Sequence, residues 1–152
     1  MRPETEALVE AAAAPFRPAG RFAWHFARGK LRYDPVFLEL VARGAFPDGA
    51  RVLDLGCGQG VLFALLVAAR QRFLASGWPA AWRPPPHGLA MRGIDLRHEA
   101  VRRARVALGE HAAFEQGDVC EARLGEADVV VMMDVLHYLP PERQDALVDA
   151  VA

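Results

Sequence analysis

The stretch "RVLDLGCGQG", residues 51–60, constrains this chain more than any other. A short apolar strand runs directly into three glycines at alternate positions, Gly56, Gly58 and Gly60, and then into the apolar segment "VLFALLVAARQRFLA". Glycine turns the main chain sharply and leaves the backbone bare, so something must approach that backbone closely. The segment after the glycines is apolar on nearly every face, as expected of a helix buried against a sheet. In an open parallel α/β sheet, ligands sit at the carboxyl ends of the strands, beside such a strand-to-helix turn. Gly56 and Gly58 are expected to form the turn, and Gly60 to let the helix pack close to the strand.

The alternation continues on both sides. "ETEALVEAAAA" predicts a helix stopped by Pro15, and Asp34 followed by Pro35 predicts an N-cap and first turn for "PVFLELVAR". Between them "RFAWHFARGKL" is a mixture of aromatic and basic residues, in which core packing accounts for Phe22, Trp24 and Phe26. Downstream, "AMRGID", "AAFEQ" and "ADVVVMM" read as strands, "HEAVRRARVAL" as a helix with Val101, Ala104 and Leu108 on one face, and "PPERQDALVDAVA" as a further helix. Apolar strands alternating with helices predict a parallel sheet covered on both faces. The expected division is a helical cap segment over residues 1–44 and an α/β domain over residues 45–152. Trp78–Gly88, rich in proline and tryptophan, reads as a looped-out insertion.

Composition narrows the function classes. With 152 residues, 53% hydrophobic content and a net charge of −1, the chain suits one globular unit and lacks the basic surface that nucleic-acid binding requires. Cys57 and Cys120 stand far apart without metal-ligand spacing, so both are expected to be reduced, small buried residues. The start "MRPETEALVE" is acidic where a secretory signal would be basic. The longest apolar run, "GVLFALLVAA", is half of the ~20 residues that span a bilayer. A cytoplasmic location follows as an expectation, with no nucleic-acid or membrane partner. The heavy use of Ala, Gly, Pro and Arg resembles GC-rich bacterial coding.

The glycine spacing is G-x-G-x-G, whereas a dinucleotide fingerprint places the third glycine one residue later. "VLDLGCGQG", with Asp54 as its acid, resembles the first motif of the class I S-adenosylmethionine-dependent methyltransferases. Further matches follow in order: "RGIDL" supplies Asp95 at the end of a second strand, "EQGDV" supplies Asp118 and Val119 after a third, and "DVVVMMDVLHYLP" resembles the fourth element of small-molecule methyltransferases. The resemblance implies a Rossmann-like parallel sheet with helices on both faces, about four of the family's seven strands being present. It further implies S-adenosylmethionine as cofactor. The loop from Asp54 through Gly56, Cys57, Gly58 and Gly60 would cradle the methionine portion and sugar. Asp95 would hold the ribose hydroxyls, Leu96 the adenine face, Asp118 the adenine amino group, and the Val119 N–H the ring edge. Arg28, Lys30 and Tyr33 become candidates for the cofactor's carboxylate.

Methyl transfer needs alignment and, for weak nucleophiles, a base. His137, in the turn after the fourth strand, is the candidate base, with local packing as its other reading. The expected function is methylation of a small molecule or carrier-bound metabolite. The alternative is a methyltransferase-like binding module without catalysis of its own. In the family's strand order the fourth strand pairs with a fifth, so "ADVVVMM" is expected to present an open edge. That edge would pair with another chain or with a missing C-terminal half.

Overall fold

Four strands, β1 (Arg51–Leu55), β2 (Ala90–Asp95), β3 (Ala112–Gln116) and β4 (Val129–Val131), form one sheet in a computed structural model that describes residues 1–152. The order is β3-β2-β1-β4 and every pairing is parallel. Register aligns the strand ends: Asp54 lies between Gly93 and Val131, Leu55 beside Ile94, and Asp95 beside Gln116. Residues that follow the strands, distant in sequence, therefore meet along one edge.

Six α-helices surround this sheet: α1 (Pro3–Ala13), α2 (Arg21–Tyr33), α3 (Pro35–Ala42), α4 (Val61–Leu74), α5 (His98–Leu108) and α6 (Pro141–Val151). The Asp34 side chain accepts the Val36 N–H and Pro35 opens the first turn, so α3 starts as expected. α4 buries Leu62, Phe63, Leu65 and Leu66 almost completely. Each such side chain contributes roughly 1.5–3 kcal/mol, which makes α4 the main anchor of the core. α5 buries Ala100, Val101, Ala104 and Leu108 and turns its arginines outward.

The two faces of the sheet are covered unequally. α1 to α5 share one large core with Val52, Cys57 and Phe114. The opposite face carries a small cluster of Leu53, Leu55, Ile94 and Val119, closed by Leu147 of α6. No helix intervenes between β3 and β4, so the expected cover on both faces is thin here. β4 is also shorter than "ADVVVMM" predicts, because a strand with a single neighbour keeps its ladder only where that neighbour runs alongside. β1 leaves β4 after Asp54 and Val131.

α1 does not simply stop at Pro15 but passes into a 3-10 helix over Ala14–Ala19, and the aromatic and basic stretch forms the regular helix α2. α2 buries Ala23, Ala27 and Leu31, whereas Phe22 is 64% and Phe26 43% exposed. Core packing thus fails for both phenylalanines; the small residues of the helix occupy the buried row. The Trp78–Gly88 insertion does loop out, but at the amino ends of the strands. Its Arg83 N–H donates to the Ala42 carbonyl, its His87 carbonyl accepts from Gly49, and Trp78 donates to the Arg83 carbonyl. No helix is long and apolar enough to cross a membrane.

Candidate functional site

The glycine loop is held at the carboxyl ends of β1 and β2 by its own backbone. The N–H groups of Gly56 and Cys57 both donate to the Ile94 carbonyl, at 2.7 and 3.1 Å. The Gly58 N–H donates to Asp95 Oδ2 at 2.8 Å. Gly56, Gly58 and Gly60 all take left-handed φ values, 73°, 57° and 83°, that other residues adopt only at a cost. Gly60 also does what its position predicts: a Cβ there would lie 3.0 Å from the Phe114 ring and 3.4 Å from Leu108, so its absence brings α4 against β3 and α5. At Gly56 a Cβ would collide with the Val135 side chain, which places the segment after β4 directly on the loop.

Asp95 is not a helix cap. Arg97 occupies the N-cap of α5, and the 6%-exposed Asp95 accepts from Gly58 through Oδ2 and from the Arg97 backbone through Oδ1 at 2.9 Å. Arg97 Nε adds a contact of 3.3 Å. Oδ1 thus receives both Arg97 donors, while Oδ2, bonded only by Gly58, keeps a lone-pair direction for a further donor. Asp54, one strand away, is 4% exposed and faces no base. Burial, with the Asp95 charge as a second cause, pushes its pKa up to about 7. Two buried acids thus flank the loop, and one of them has no counter-charge.

The remaining sequence candidates distribute around this pair. Leu96 is 67% exposed just beyond Asp95, with an open apolar side chain. Asp118 accepts the Cys120 N–H and pairs with Arg143 of α6 at 2.8 Å; that bond to Arg143 lowers its pKa. Val119 is buried behind it. Cys57 is buried beside Gly93, its thiol pKa pushed up by desolvation, and neither cysteine is bridged. This suits packing, since the thiolate rather than the thiol is the reactive form. His137 lies exposed in the short 3-10 helix Leu136–Tyr138, its ring 4.0 Å from that of Tyr138.

Arg28 is committed to Glu10, and Tyr33 is largely exposed. Lys30 bonds Asp134 at 2.8 Å and Asp34 at 2.9 Å, tying α2 to the segment after β4. Sequence reasoning missed Gln59 and Asp134. Gln59, one of the variable positions inside the glycine motif, is buried and donates to the Ala23 carbonyl at 2.7 Å, fixing α2 above the loop. Asp134 takes a left-handed φ of 55°, and no local pattern marks it. A concavity of about 620 Å³ lies at the opposite ends of the strands between Arg51, Arg92 and His111, far from this chemistry.

Glycine loop, strand-end carboxylates and parallel order define an α/β protein built to hold a nucleoside-containing ligand at its carboxyl edge. Residues 23–152 match the family model described as a methyltransferase domain. The chain is 31% identical over 117 residues to carboxy-S-adenosyl-L-methionine synthase of Chromohalobacter salexigens, covering 74% of this chain and 38% of that protein. It is 32% identical over 115 residues to the ubiquinone biosynthesis O-methyltransferase of Aromatoleum aromaticum, covering 70% and 41%. Magnesium protoporphyrin IX methyltransferase of Synechocystis, solved with bound S-adenosylmethionine, superposes with a TM-score of 0.54 at 25% identity, over 83% of this chain and 57% of that one. The chain belongs to the class I S-adenosylmethionine-dependent methyltransferase family. It spans about two fifths of the length of the curated relatives it matches.

Proposed function

We propose that this chain holds S-adenosylmethionine across the carboxyl ends of β1, β2 and β3 and serves the methylation of a small-molecule or carrier-bound acceptor. The observation that carries this reading is the charge of the site. Asp54 and Asp95 are both buried beside the glycine loop, and Asp54 has no cationic partner. A pyrophosphate would meet two carboxylates in a low-dielectric cleft, whereas a cationic ligand supplies the missing counter-charge. When bound, the cofactor offers a methyl group activated on a positive sulfur.

The chain's own groups divide the work of binding. Backbone from Gly56 to Gly60 allows close approach, the free lone pair on Asp95 Oδ2 suits a hydroxyl of the ribose diol, and exposed Leu96 suits a ring face. Asp118 and the Val119 N–H are assigned to the adenine edge, Asp118 sharing its carboxylate with Arg143. Lys30 is assigned to the cofactor's carboxylate because it reaches over the end of β4. His137 stands in the turn where an acceptor proton would be removed. The low-identity relatives divide between two differently named enzymes, so the acceptor is proposed only by class, as a small molecule or carrier-bound metabolite.

A second reading is favoured by β4, whose only partner is β1. Its open outer edge suits a cofactor-holding module completed by another polypeptide or a second copy. Calorimetric titration tests the first reading: S-adenosylhomocysteine is expected to bind and NAD to give no heat. Heat with NAD alone would overturn it.

A further inference from the structure

The least expected feature of the molecule is the exposed flank of α2. Phe22, Phe26, Gly29 and Tyr33 recur at spacings of four, three and four, which places them on one stripe of the helix. They stand beside the fully buried row Ala23, Ala27 and Leu31. The opposite flank is occupied: Arg28 pairs with Glu10 and Arg32 with Glu6, both on α1. Contacts at three points show where α2 runs. Phe22 lies under the Arg103 guanidinium of α5 at 4.8 Å, the Ala23 carbonyl receives Gln59 of the glycine loop, and Lys30 reaches Asp134 beyond β4. The helix therefore crosses the carboxyl edge of the sheet. Its aromatic flank is exposed along that edge, on the side away from α1.

Resting on the methyltransferase reading, we infer that this flank is the acceptor-recognising wall of the site and that it selects a flat, apolar acceptor carrying an acid group. The Phe22 and Phe26 rings stack with 6.0 Å between centroids and 21° between their planes, and both are exposed, so together they offer an aromatic pair to a planar ligand. From Phe22 to Tyr33 the stripe is about 16 Å long at 1.5 Å per residue, enough for a fused-ring or longer ligand. Soluble proteins rarely leave such aromatic surface uncovered without a use. The charge around Phe22 supplies the second half of the selection. Arg103 stacks on that ring; its Nε is buried, and its long 3.6 Å ion pair is with Glu99, a carboxylate that already bonds Arg102, so the charge of the guanidinium is only partly met. Arg21, adjacent in the chain, is exposed. The acids at the other end of the stripe, Asp34 and Asp134, are both occupied by Lys30. A planar carboxylate laid along the stripe meets a guanidinium at one end and no free acid.

The test uses matched probes, 2-naphthoate and neutral 2-naphthalenemethanol, titrated by fluorescence into the chain with and without saturating S-adenosylhomocysteine. Naphthoate is expected to bind at least tenfold more tightly than the alcohol. F22S/F26S should weaken both probes tenfold or more while leaving S-adenosylhomocysteine affinity within twofold. R103Q should remove the preference for naphthoate and leave the alcohol unchanged. Equal naphthoate affinity in F22S/F26S, or no charge preference in the parent chain, would overturn the inference. So would light scattering in which F22S/F26S converts a dimer to a monomer, or vesicle binding abolished by the same change, since the stripe would then serve a second copy or a membrane surface. Loss of S-adenosylhomocysteine binding by the parent chain is a separate failure, that of the methyltransferase reading.

Discussion

Replacing Asp54 by asparagine should stabilise the folded chain at alkaline pH and leave it nearly unchanged in acid. The folded carboxyl has a pKa of about 7 against an ordinary 3.8, chiefly because burial disfavours its charge. Its folded form therefore holds a proton that the unfolded chain releases above about pH 4. Stability from this group is fully present below the unfolded value and is lost as pH rises toward the folded one. At about 1.4 kcal/mol per tenfold change in proton affinity, the loss across that window is on the order of 4 kcal/mol. Asparagine has the same shape and no charge, so Asp54→Asn escapes it. Urea unfolding of both proteins between pH 4 and 8 measures the difference, in which all other titrating groups cancel. The variant's advantage should grow through this range and level off near pH 8. The same carboxylate gives a binding signature: affinity of the parent for cationic S-adenosylmethionine should rise with pH up to about 7, and the variant should lack that rise. A stability difference that does not change with pH would refute the reasoning, for it would mean that folded Asp54 ionises as freely as an exposed acid.

Asp95→Ala should weaken S-adenosylhomocysteine binding by about ten- to a hundredfold, since charge-assisted hydrogen bonds contribute roughly 1.5–3 kcal/mol. Asp95→Asn should be milder, and unchanged affinity in the alanine variant would restrict Asp95 to holding Gly58 and Arg97. Gly60→Ala forces a left-handed residue into contact with Phe114 and should lower the urea midpoint, the backbone conformation alone costing roughly 1–2 kcal/mol. A midpoint equal to the parent's would show that α4 can withdraw from β3 freely. The open edge of β4 predicts self-association of the purified 152-residue chain in light scattering. A stable, non-aggregating monomer would show that β4 needs no partner.

Much of this protein was legible because its signals are local. The run from Val52 to Gly60 declares a strand, a turn that only glycine makes easily and a buried helix, and the same logic repeats around Asp95 and Asp118. Parallel pairing then brings those three turns together, because alternation of strand and helix leaves few other arrangements. Other features depend on residues far apart in the chain, and only the tertiary structure decided them. Phe22 and Phe26 look like core residues by type, yet Ala23, Ala27 and Leu31 form the row of α2 that enters the large core, which turns the rings outward. The Trp78–Gly88 insertion reads as a loop from composition, but its hydrogen bonds to Ala42 and Gly49 place it at the strand ends remote from the glycines. Lys30 meeting Asp134, Val135 resting on Gly56 and Gln59 reaching Ala23 are contacts in which at least one partner carries no local mark of the other. The protonation of Asp54 belongs to the same group. An aspartate in a strand is only an acid until the surrounding chain removes its water, and that removal exists in the fold alone.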